Sequence, residues 1–296
     1  MRVLMSGASG LLGSAIGRAL EADGEALTRL VRDGAQGDNQ IAWEPGKSLT
    51  LPSGFDAVIH LAGEGVVGRW TAAKKERVRD SRVLGTRTIA EAVTRMDVKP
   101  RVMVAASAIG FYGSRGDEVL NEESTSGTGF LAEVCREWEA ASEPVERTGV
   151  RVVHIRIGVV LSTHGALGKM LLPFRVGLGG RLGSGKQWLS WIHVDDVVGG
   201  VQHVLGNETV SGPVNLVGPN PVTNAEFTKA LGHALSRPTI FPVPALALRF
   251  ALGEMADEAL LASQRVQPQR LLASGYLFRF TELGEALAEI LAKKPV

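Results

Sequence analysis

The chain has 296 residues, of which 45% are hydrophobic and 21% charged, as in an ordinary globular protein. Its formal net charge of +1 gives no indication of a nucleic acid or an anionic membrane as a partner. A single cysteine, Cys135, excludes an intrachain disulfide and suits a reducing compartment, and no apolar stretch is long enough and free enough of charge to span a bilayer.

The first predicted element is a strand over residues 2–5, and its position argues against a secretory leader. We therefore expect a cytoplasmic protein. Three glycines, Gly7, Gly10 and Gly13, follow this strand. Apolar residues at helical spacing then predict a helix over residues 11–21.

A second strand, predicted over residues 25–32, completes a βαβ unit. In such a unit a pyrophosphate binds at the helix N-terminus, where unpaired N–H groups and the helix dipole favour an anion. Gly7 would make the tight turn, Gly10 would admit the phosphates, and Gly13 would let helix and strand pack closely. A purely structural turn is the alternative. The residues expected at the phosphates are Gly7, Ser9, Gly10, Leu11 and Leu12.

Strands and helices continue to alternate through the next part of the chain. Strands are predicted over residues 55–63 and 102–107 and, within residues 150–161, over 154–158, and helices are predicted over residues 72–96 and 130–145. This alternation predicts an α/β fold with a doubly wound parallel sheet. Right-handed crossovers would place the carboxyl ends of the strands along one edge, where ligands bind in such sheets.

The pattern changes after the last of these strands. Residues 173–185 are rich in glycine and are predicted to form a loop, and Asp195 with Asp196 is predicted to cap a helix. One more strand of the sheet is predicted over residues 214–217, followed by a helix over 223–235 and two or three further helices.

These elements predict two parts. Residues 1–171, with 192–218 returning to them, form the dinucleotide-binding domain. Residues 172–191 and 219–296 contain no glycine-turn βαβ unit of their own, and we assign them to a smaller, mostly helical, substrate-side lobe.

Several short strings along the chain are typical of one family. They are GASGLLG at residues 7–13, DAVIHLAG at 56–63, Gly85-Thr86, Ser107 with Tyr112-Gly113, WIHVDD at 191–196 and Asn215. On these strings the chain resembles the extended short-chain dehydrogenase/reductases of the nucleotide-sugar epimerase type. The resemblance implies a Rossmann fold that binds a nicotinamide dinucleotide.

Other strings indicate an atypical branch of that family, known as epimerase family proteins. They are Gly63-Glu64, RWT at residues 69–71, SRV at 81–83, WEAA at 138–141, PFR at 173–175, GLGG at 177–180, QRV at 264–266 and PQR at 268–270. The resemblance to this branch covers essentially the whole chain.

The chain departs from the wider family at the pair Tyr-x-x-x-Lys. In that family the tyrosine transfers a proton to or from the substrate oxygen, and the lysine lowers its pKa and holds the nicotinamide ribose. The matching positions here are Phe130 and Val134. Phenylalanine has no proton to give and valine cannot hold a ribose, so the standard mechanism is not carried over and cofactor binding is implied more firmly than catalysis.

The remaining expected cofactor residues lie at strand ends and on the long helix. Arg32 ends the second strand, where a carboxylate would favour NAD; an arginine suits the 2′-phosphate of NADP(H). The adjacent Asp33 complicates this assignment, and a solvated surface arginine is the alternative. The other expected cofactor residues are Leu61, Ala62, Gly63 and Arg82, for which sheet packing and an exposed helix arginine are the alternatives.

Two candidate catalytic residues follow the serine strand. Ser107 would donate to a substrate carbonyl, or simply cap a turn, and Tyr112 is the nearby phenolic acid, or a wall of the pocket. Glu133 and Cys135 lie on the altered helix; we expect Cys135 to be a buried inert thiol. His193 has no cysteine or histidine at ligand spacing, so we expect no metal.

Four basic residues give the glycine-rich loop a positive rim, which suits an anionic small-molecule substrate or is simply a solvated loop. They are Lys169, Arg175, Arg181 and Lys186. The sequence therefore predicts an NADP(H)-dependent oxidoreductase or epimerase with an altered proton donor. The alternative is a non-catalytic NADP(H)-binding sensor or interaction module. We expect no nucleic-acid or membrane partner, and either a monomer or a homodimer.

Overall fold

Alternating strands and helices dominate the first two thirds of the chain. The structure, a computed structural model, describes residues 1–32 and 34–292; Asp33 and the last four residues of the predicted lobe lie outside it. The first elements are β1 (Arg2–Ser6), α1 (Leu11–Ala22), β2 (Ala26–Val31), β3 (Gln40–Ala42), β4 (Ala57–His60), α2 (Ala72–Thr94), β5 (Val102–Ala108), a 3-10 turn (Ile109–Tyr112), β6 (Val119–Leu120), α3 (Phe130–Ala140), α4 (Glu143–Glu146), β7 (Arg151–Ile157) and β8 (Val159–Leu161).

The rest of the chain is mainly helical. Its elements are α5 (Gly165–Arg175), β9 (Trp188–Leu189), β10 (Trp191–His193), α6 (Val194–Gly206), β11 (Gly212–Leu216), β12 (Val222–Thr223), α7 (Asn224–Ala234), α8 (Ala245–Leu252), a π-turn (Ala256–Leu260), β13 (Arg265–Val266), α9 (Gln269–Ala273) and α10 (Leu283–Ala292). No helix in the described ranges has the length and apolar character needed to cross a membrane.

Seven strands form one parallel sheet in the order β11-β7-β5-β4-β1-β2-β3. The order reverses between β1 and β4, as in a doubly wound fold. The predicted fold class, a Rossmann-type parallel sheet with a smaller helical C-terminal lobe, is confirmed.

Side chains alternate between the two faces along each strand, and helices bury both faces of the sheet. Val3 and Met5 of β1 point to the face covered by α1 and α6, whereas Leu4 points to the face covered by α2. Ile16 of α1 and Ile89 of α2 represent these two helical layers, and both are fully buried. Burial of each such side chain stabilises the fold by about 1.5–3 kcal/mol.

A third apolar cluster joins α5, α7 and α10 in the C-terminal part of the chain. Trp191, Phe227 and Leu287 lie at its centre and are fully buried. At the start of α7, Thr223 and Glu226 form a capping box, in which each side chain accepts a backbone N–H of the other residue.

Two element boundaries differ from prediction because of proline. The helix predicted over residues 130–145 is two helices, since Pro144 at the start of α4 lacks the N–H that a continuous helix requires. The loop predicted over 173–185 begins later, because α5 includes Pro173 in its last turn and runs to Arg175.

Two further predictions also need correction. The strand predicted over 154–158 begins earlier, at Arg151, and ends at Ile157. The N–H of Gly158 donates to the carbonyl oxygen of Leu216, and β8 then leaves the main sheet to pair with β10. The N-cap of α6 is His193, whose Nδ1 accepts the N–H of Asp195 at 3.0 Å. Asp195 and Asp196 lie in the first turn of the helix rather than at its cap.

Candidate cofactor site

A cleft of about 590 Å³ opens at the carboxyl edge of the sheet, where β1, β2 and β4 end. This is the point at which strand order reverses, the usual ligand position in doubly wound folds. Seven of the predicted cofactor residues line it: Gly7, Ser9, Gly10, Arg32, Leu61, Ala62 and Gly63. Leu11 and Leu12 begin α1 at its floor, and Arg82 follows the lining residue Ser81.

The three glycines of the turn differ in the space that surrounds their Cα atoms. Gly7 has a φ of +72°, and a Cβ there would lie 2.7 Å from the backbone N of Ala62. A Cβ on Gly13 would lie 2.1 Å from the carbonyl oxygen of Gly7. A Cβ on Gly10 would meet only that same oxygen, at 3.3 Å. The chain therefore packs tightly around Gly7 and Gly13, whereas Gly10 faces the open cleft.

The N-terminus of α1 offers its backbone N–H groups to the cleft. Gly10 is the N-cap in an extended conformation, and within the described residues no side chain caps the helix. The first turn contains no acidic residue. The unpaired N–H groups and the positive end of the helix dipole suit a phosphate group at this position.

Two arginines stand at the end of β2, and they differ in their partners. Arg29 forms an ion pair with Glu21. Arg32 is exposed on the cleft wall and forms no ion pair with any described residue. Across the cleft, the pKa of Glu64 lies below its usual range, chiefly because Lys74 donates to its carboxylate at 2.7 Å, with a smaller contribution from Arg32. Of these two arginines, Arg32 is therefore the one that is available to bind an anion at the β2 end of the cleft.

Arg82 is half-buried, and its guanidinium forms no ion pair with a carboxylate of the described residues. Its Nη1 donates to the carbonyl oxygens of Glu64 and Val78, at 2.9 and 3.0 Å. Its Cζ lies 4.9 Å from the ring centroid of Trp138 and would lie 3.5 Å from a Cβ on Gly63. Burial lowers the pKa of this guanidinium below its ordinary value. Its Nε and Nη2 make no hydrogen bond within the described part of the chain.

A buried histidine forms a hydrogen bond to the residue that precedes the glycine turn. His60, at the end of β4, is fully buried, and its Nδ1 lies 2.6 Å from the Oγ of Ser6 on the neighbouring strand. Burial lowers the pKa of His60 to about 4, so the ring is neutral at pH 7. Trp43 packs edge-on against it. This contact ties the ends of β1 and β4 together beside the cleft.

The predicted catalytic residues belong to a buried polar network. Ser107 donates to Glu139 at 2.6 Å, and Arg156 makes two hydrogen bonds of 2.8 Å to the same carboxylate. Arg156 also donates to the hydroxyl of Tyr112, which donates to Asn215. The proton of Ser107 is therefore committed to Glu139 in this arrangement.

Tyr112 does not reach the cleft. It is completely buried, and burial raises the pKa of its hydroxyl, against the smaller opposing effect of Arg156. The geometry corrects the expectation that Tyr112 stands beside a substrate as a phenolic acid. Ser107 is 2% exposed and is likewise held in the network.

An aromatic and charged cluster surrounds the position of the family tyrosine. The ring of Phe130 packs edge-on against Trp70 at 5.2 Å, and Nζ of Lys75 lies 4.6 Å from its centroid. The carboxylate of Glu258, from the π-turn, accepts the N–H groups of Phe130 and Leu131, both at 2.8 Å. Lys75 and Glu258 are the titratable groups of this cluster, and the Phe130 ring itself carries no hydroxyl.

Neither of the other candidates on α3 supplies a proton donor. Glu133 is exposed, and Val134, at the lysine position, is buried. Cys135 is buried as predicted, and burial raises the pKa of its thiol to about 12. A thiol with so high a pKa is not a nucleophile at neutral pH.

Three potential ligand atoms of His193, Asp195 and Glu289 lie within 4.8 Å of one another. Hydrogen bonding explains this group without a metal. Because Nδ1 of His193 accepts the N–H of Asp195, its Nε2 carries the proton and donates to Glu289 at 3.0 Å. The prediction that no metal binds here stays a prediction.

Sequence reasoning missed three residues that take part in these contacts: Glu139, Arg156 and Glu258. Glu139 was noted only as part of a family string, and Glu258 comes from a position 128 residues away from its partner. The signal that was available is Arg156, a lone charge within an apolar strand, since a buried charge needs a partner.

The sheet order, the glycine turn and the position of the cleft together define a Rossmann-type α/β protein of the short-chain dehydrogenase/reductase class. Residues 3–218 match the model of the NAD-dependent epimerase/dehydratase family, and residues 243–290 match a domain of unknown function, DUF1731. The chain belongs to the epimerase/dehydratase family, as its motifs predicted, and its curated relatives carry the name epimerase family protein.

Three relatives illustrate the range of similarity. The Mycobacterium tuberculosis epimerase family protein MT2273 is 43% identical over 96% of each chain. The crystal structure of human epimerase family protein SDR39U1 (isoform 2) with NADPH is 37% identical, with a TM-score of 0.90 over 98% of this chain and 99% of that one. The UDP-glucose 4-epimerase of Thermus thermophilus in complex with NAD, at 18% identity, has a TM-score of 0.72 over 97% of each chain and shares the fold.

Proposed function

We propose that the protein is an NADP(H)-dependent oxidoreductase that acts on a small-molecule carbonyl substrate and lacks the family's tyrosine–lysine pair. The observation that carries the proposal is the cleft at the switch point, where no described side chain caps the α1 N-terminus and where Arg32, beside β2, forms no ion pair with a described residue. The human relative SDR39U1 was crystallised with NADPH, which supports the same cofactor here.

Different residues of the cleft would bind different parts of the cofactor. The N–H groups at the start of α1 would hold the pyrophosphate, and Gly10 leaves room for it. Arg32 would hold the 2′-phosphate through charge-assisted hydrogen bonds. Leu61, Ala62 and Gly63 directly follow β4, which pairs with β1 on the side away from β2. We assign these three residues to the nicotinamide side.

Arg82 would supply the cation that α3 lacks. Trp138 lies one helical turn after Val134, so the two residues share a face of α3, and the guanidinium of Arg82 stacks over Trp138. It is also beside Gly63, at the nicotinamide side of the cleft. A half-buried cation without an ion-pair partner is costly unless a ligand supplies an acceptor. We therefore assign the free Nε and Nη2 of Arg82 to the nicotinamide ribose.

The bound cofactor would supply a hydride to a substrate carbonyl carbon. The chain's own residues would position that carbonyl and exclude water, but Phe130, Tyr112 and Ser107 offer no accessible proton at this position. Proton transfer by a positioned side chain contributes about 100- to 10,000-fold to rate. Slow turnover, or a substrate that takes its proton from water, is the expected consequence.

The cofactor cleft, together with the lack of an accessible proton on Phe130, Tyr112 and Ser107, favours a second candidate function, a non-catalytic NADP(H) sensor. Such a protein would distinguish reduced from oxidised cofactor and signal through its C-terminal lobe. In this case, too, Arg32 and the glycine turn would bind the dinucleotide, and the polar network of Ser107 would be purely structural.

Two measurements test these functions. Calorimetric titration with NADPH and NADH comes first, and binding of neither cofactor would contradict both candidates. Consumption of NADPH is then followed against a panel of small aldehydes and ketones that includes anionic ones. Turnover supports the oxidoreductase, whereas different affinities for NADPH and NADP⁺ without any turnover support the sensor.

A further inference from the structure

Two segments of the C-terminal half contain basic residues and no acidic residue. They are residues 165–186 and 227–253. Their lysines and arginines are Lys169, Arg175, Arg181, Lys186, Lys229, Arg237 and Arg249. The whole chain has a net charge of only +1, so the net charge of +7 in these segments is balanced by a net charge of −6 in the rest of the chain.

The two segments lie side by side in the fold. Nε of Arg237 donates to the carbonyl oxygen of Arg175 at 2.8 Å. Val243 exchanges two backbone hydrogen bonds with the other segment, to Arg181 and Gly183, both at 2.8 Å. The two segments therefore adjoin at these residues, and we call their combined exposed surface the basic apolar face.

Seven large apolar side chains of this face are exposed. They are Leu172, Val176, Leu178, Ile240, Phe241, Leu246 and Phe250, with exposed fractions between 56% and 85%. They make up half of the exposed large hydrophobic residues of the described chain. Leu246 and Phe250 are one turn apart on α8, a helix in which no residue is buried.

The positive charge of the face is largely uncompensated. Of its seven basic residues, only Arg249 forms an ion pair with a described residue, at 2.9 Å to Asp257. The guanidinium groups of Arg181 and Arg237 donate to backbone carbonyl oxygens, which leaves their charge in place. The others project from an apolar surface toward solvent.

Large contiguous apolar patches are rare on monomeric proteins and mark interaction surfaces. Seven exposed large apolar side chains within two adjoining segments point to such a surface. A second copy of the chain is a poor occupant, because two basic faces would repel each other. An occupant must be apolar and negatively charged at once.

We propose that the basic apolar face docks on an anionic lipid bilayer, with the exposed side chains of α8 inserted at the boundary between headgroups and acyl chains. Interfacial helices combine apolar insertion with attraction of lysine and arginine to anionic headgroups. The expectation of no membrane partner rested on net charge, which averages over the chain and hides this segregation.

Vesicle co-sedimentation of the full chain tests the proposal. Binding is expected to vesicles of phosphatidylcholine mixed with phosphatidylglycerol, and not to phosphatidylcholine alone. It is expected to weaken as salt rises from about 0.1 M to about 1 M, over which the screening length falls from about 10 to about 3 Å. Equal binding to both compositions, or binding to neither, would overturn the proposal.

Variants at exposed positions locate the contact. Leu246→Ser with Phe250→Ser, and separately Arg175→Glu with Lys186→Glu, are each expected to lower vesicle affinity by about tenfold or more. Matched controls outside the two segments are Leu277→Ser, at 88% exposure, and Lys47→Glu, and neither should change it. Equal loss with the controls would contradict the location. A dimer in light scattering that Phe250→Ser disperses would assign the face to a second copy instead.

Discussion

Glu139 and Arg156 form a bidentate ion pair, with Nε–Oε1 and Nη2–Oε2 distances of 2.8 Å and side-chain exposures of 13% and 4%. The pair connects α3 to β7, the neighbour of the edge strand β11. It also takes up the hydroxyl of Ser107, and Arg156 stacks 3.5 Å over the ring of Phe111. Ser107, near the end of β5, is thus held here by a buried structural ion pair.

We expect Glu139→Gln to reduce the free energy of unfolding by about 3–5 kcal/mol, because it leaves the buried charge of Arg156 without its counterion. Urea denaturation measures the change. The matched control is Glu143→Gln, which removes the exposed pair with Arg147 four residues away and should change stability by about 0.5 kcal/mol or less. Similar small effects from both variants would show that the buried pair is not a stabilising element.

The fold and the cofactor cleft were predictable because their signals are local in sequence. The glycine spacing between an apolar run and a helical pattern predicts the turn at Gly7, and Arg32 directly ends the strand beside it. The polar network was not predictable because its members come from separate elements: Glu139 from α3, Arg156 from β7 and Asn215 from β11. No spacing rule relates those positions.

The errors in element boundaries have different physical causes. The loop was predicted to begin at Pro173, but α5 continues through it to Arg175 although the proline nitrogen cannot donate to the carbonyl oxygen of Lys169. The cap of α6 was assigned to Asp195 and Asp196 because aspartate is a preferred capping residue. Asp196 instead accepts the N–H groups of Arg279 and Phe280, a tertiary contact that sequence alone does not reveal.

Gly10→Val is expected to abolish NADPH binding and leave the protein folded. Its backbone φ of −76° suits any residue, and a side chain there would extend into the cleft. Gly13→Ala should instead destabilise the fold, because its Cβ would lie 2.1 Å from the carbonyl oxygen of Gly7. Calorimetric titration and thermal unfolding distinguish the two results. Parental affinity in Gly10→Val would make the glycine turn purely structural.

Arg32→Gln is expected to remove a preference for NADPH over NADH. A charge-assisted contact with the 2′-phosphate is worth roughly 1.5–3 kcal/mol, or about tenfold or more in affinity. Fluorescence titration of both cofactors measures the ratio. Arg18→Gln, on the exposed side of α1, is the control and should keep the parental ratio. Equal affinities of the parent protein for the two cofactors would refute the assignment of Arg32.

Arg82→Met should weaken NADPH binding by about tenfold or more, since it removes a charged donor from the nicotinamide half of the cleft. Binding of 2′,5′-ADP, which has no nicotinamide ribose, should stay at the parental level. Arg82→Lys should restore part of the NADPH affinity, and Arg87→Gln on the exposed side of α2 should change neither ligand. If Arg82→Met weakens both ligands equally, Arg82 supports the cleft generally and does not hold the ribose.

The protein is expected not to epimerise UDP-glucose at a useful rate, because oxidising a sugar hydroxyl requires a base with a pKa near neutrality and Phe130 offers none. Product analysis by chromatography tests this directly, and brisk epimerisation would refute it.

Tyr112→Phe tests whether Tyr112 is a structural residue or a proton donor. Burial of Tyr112 between Arg156 and Asn215 predicts a loss of about 1–3 kcal/mol in stability, with unchanged NADPH affinity and with retention of any carbonyl reduction that the screen detects. Loss of that reduction in a variant that remains folded would restore Tyr112 as the acid.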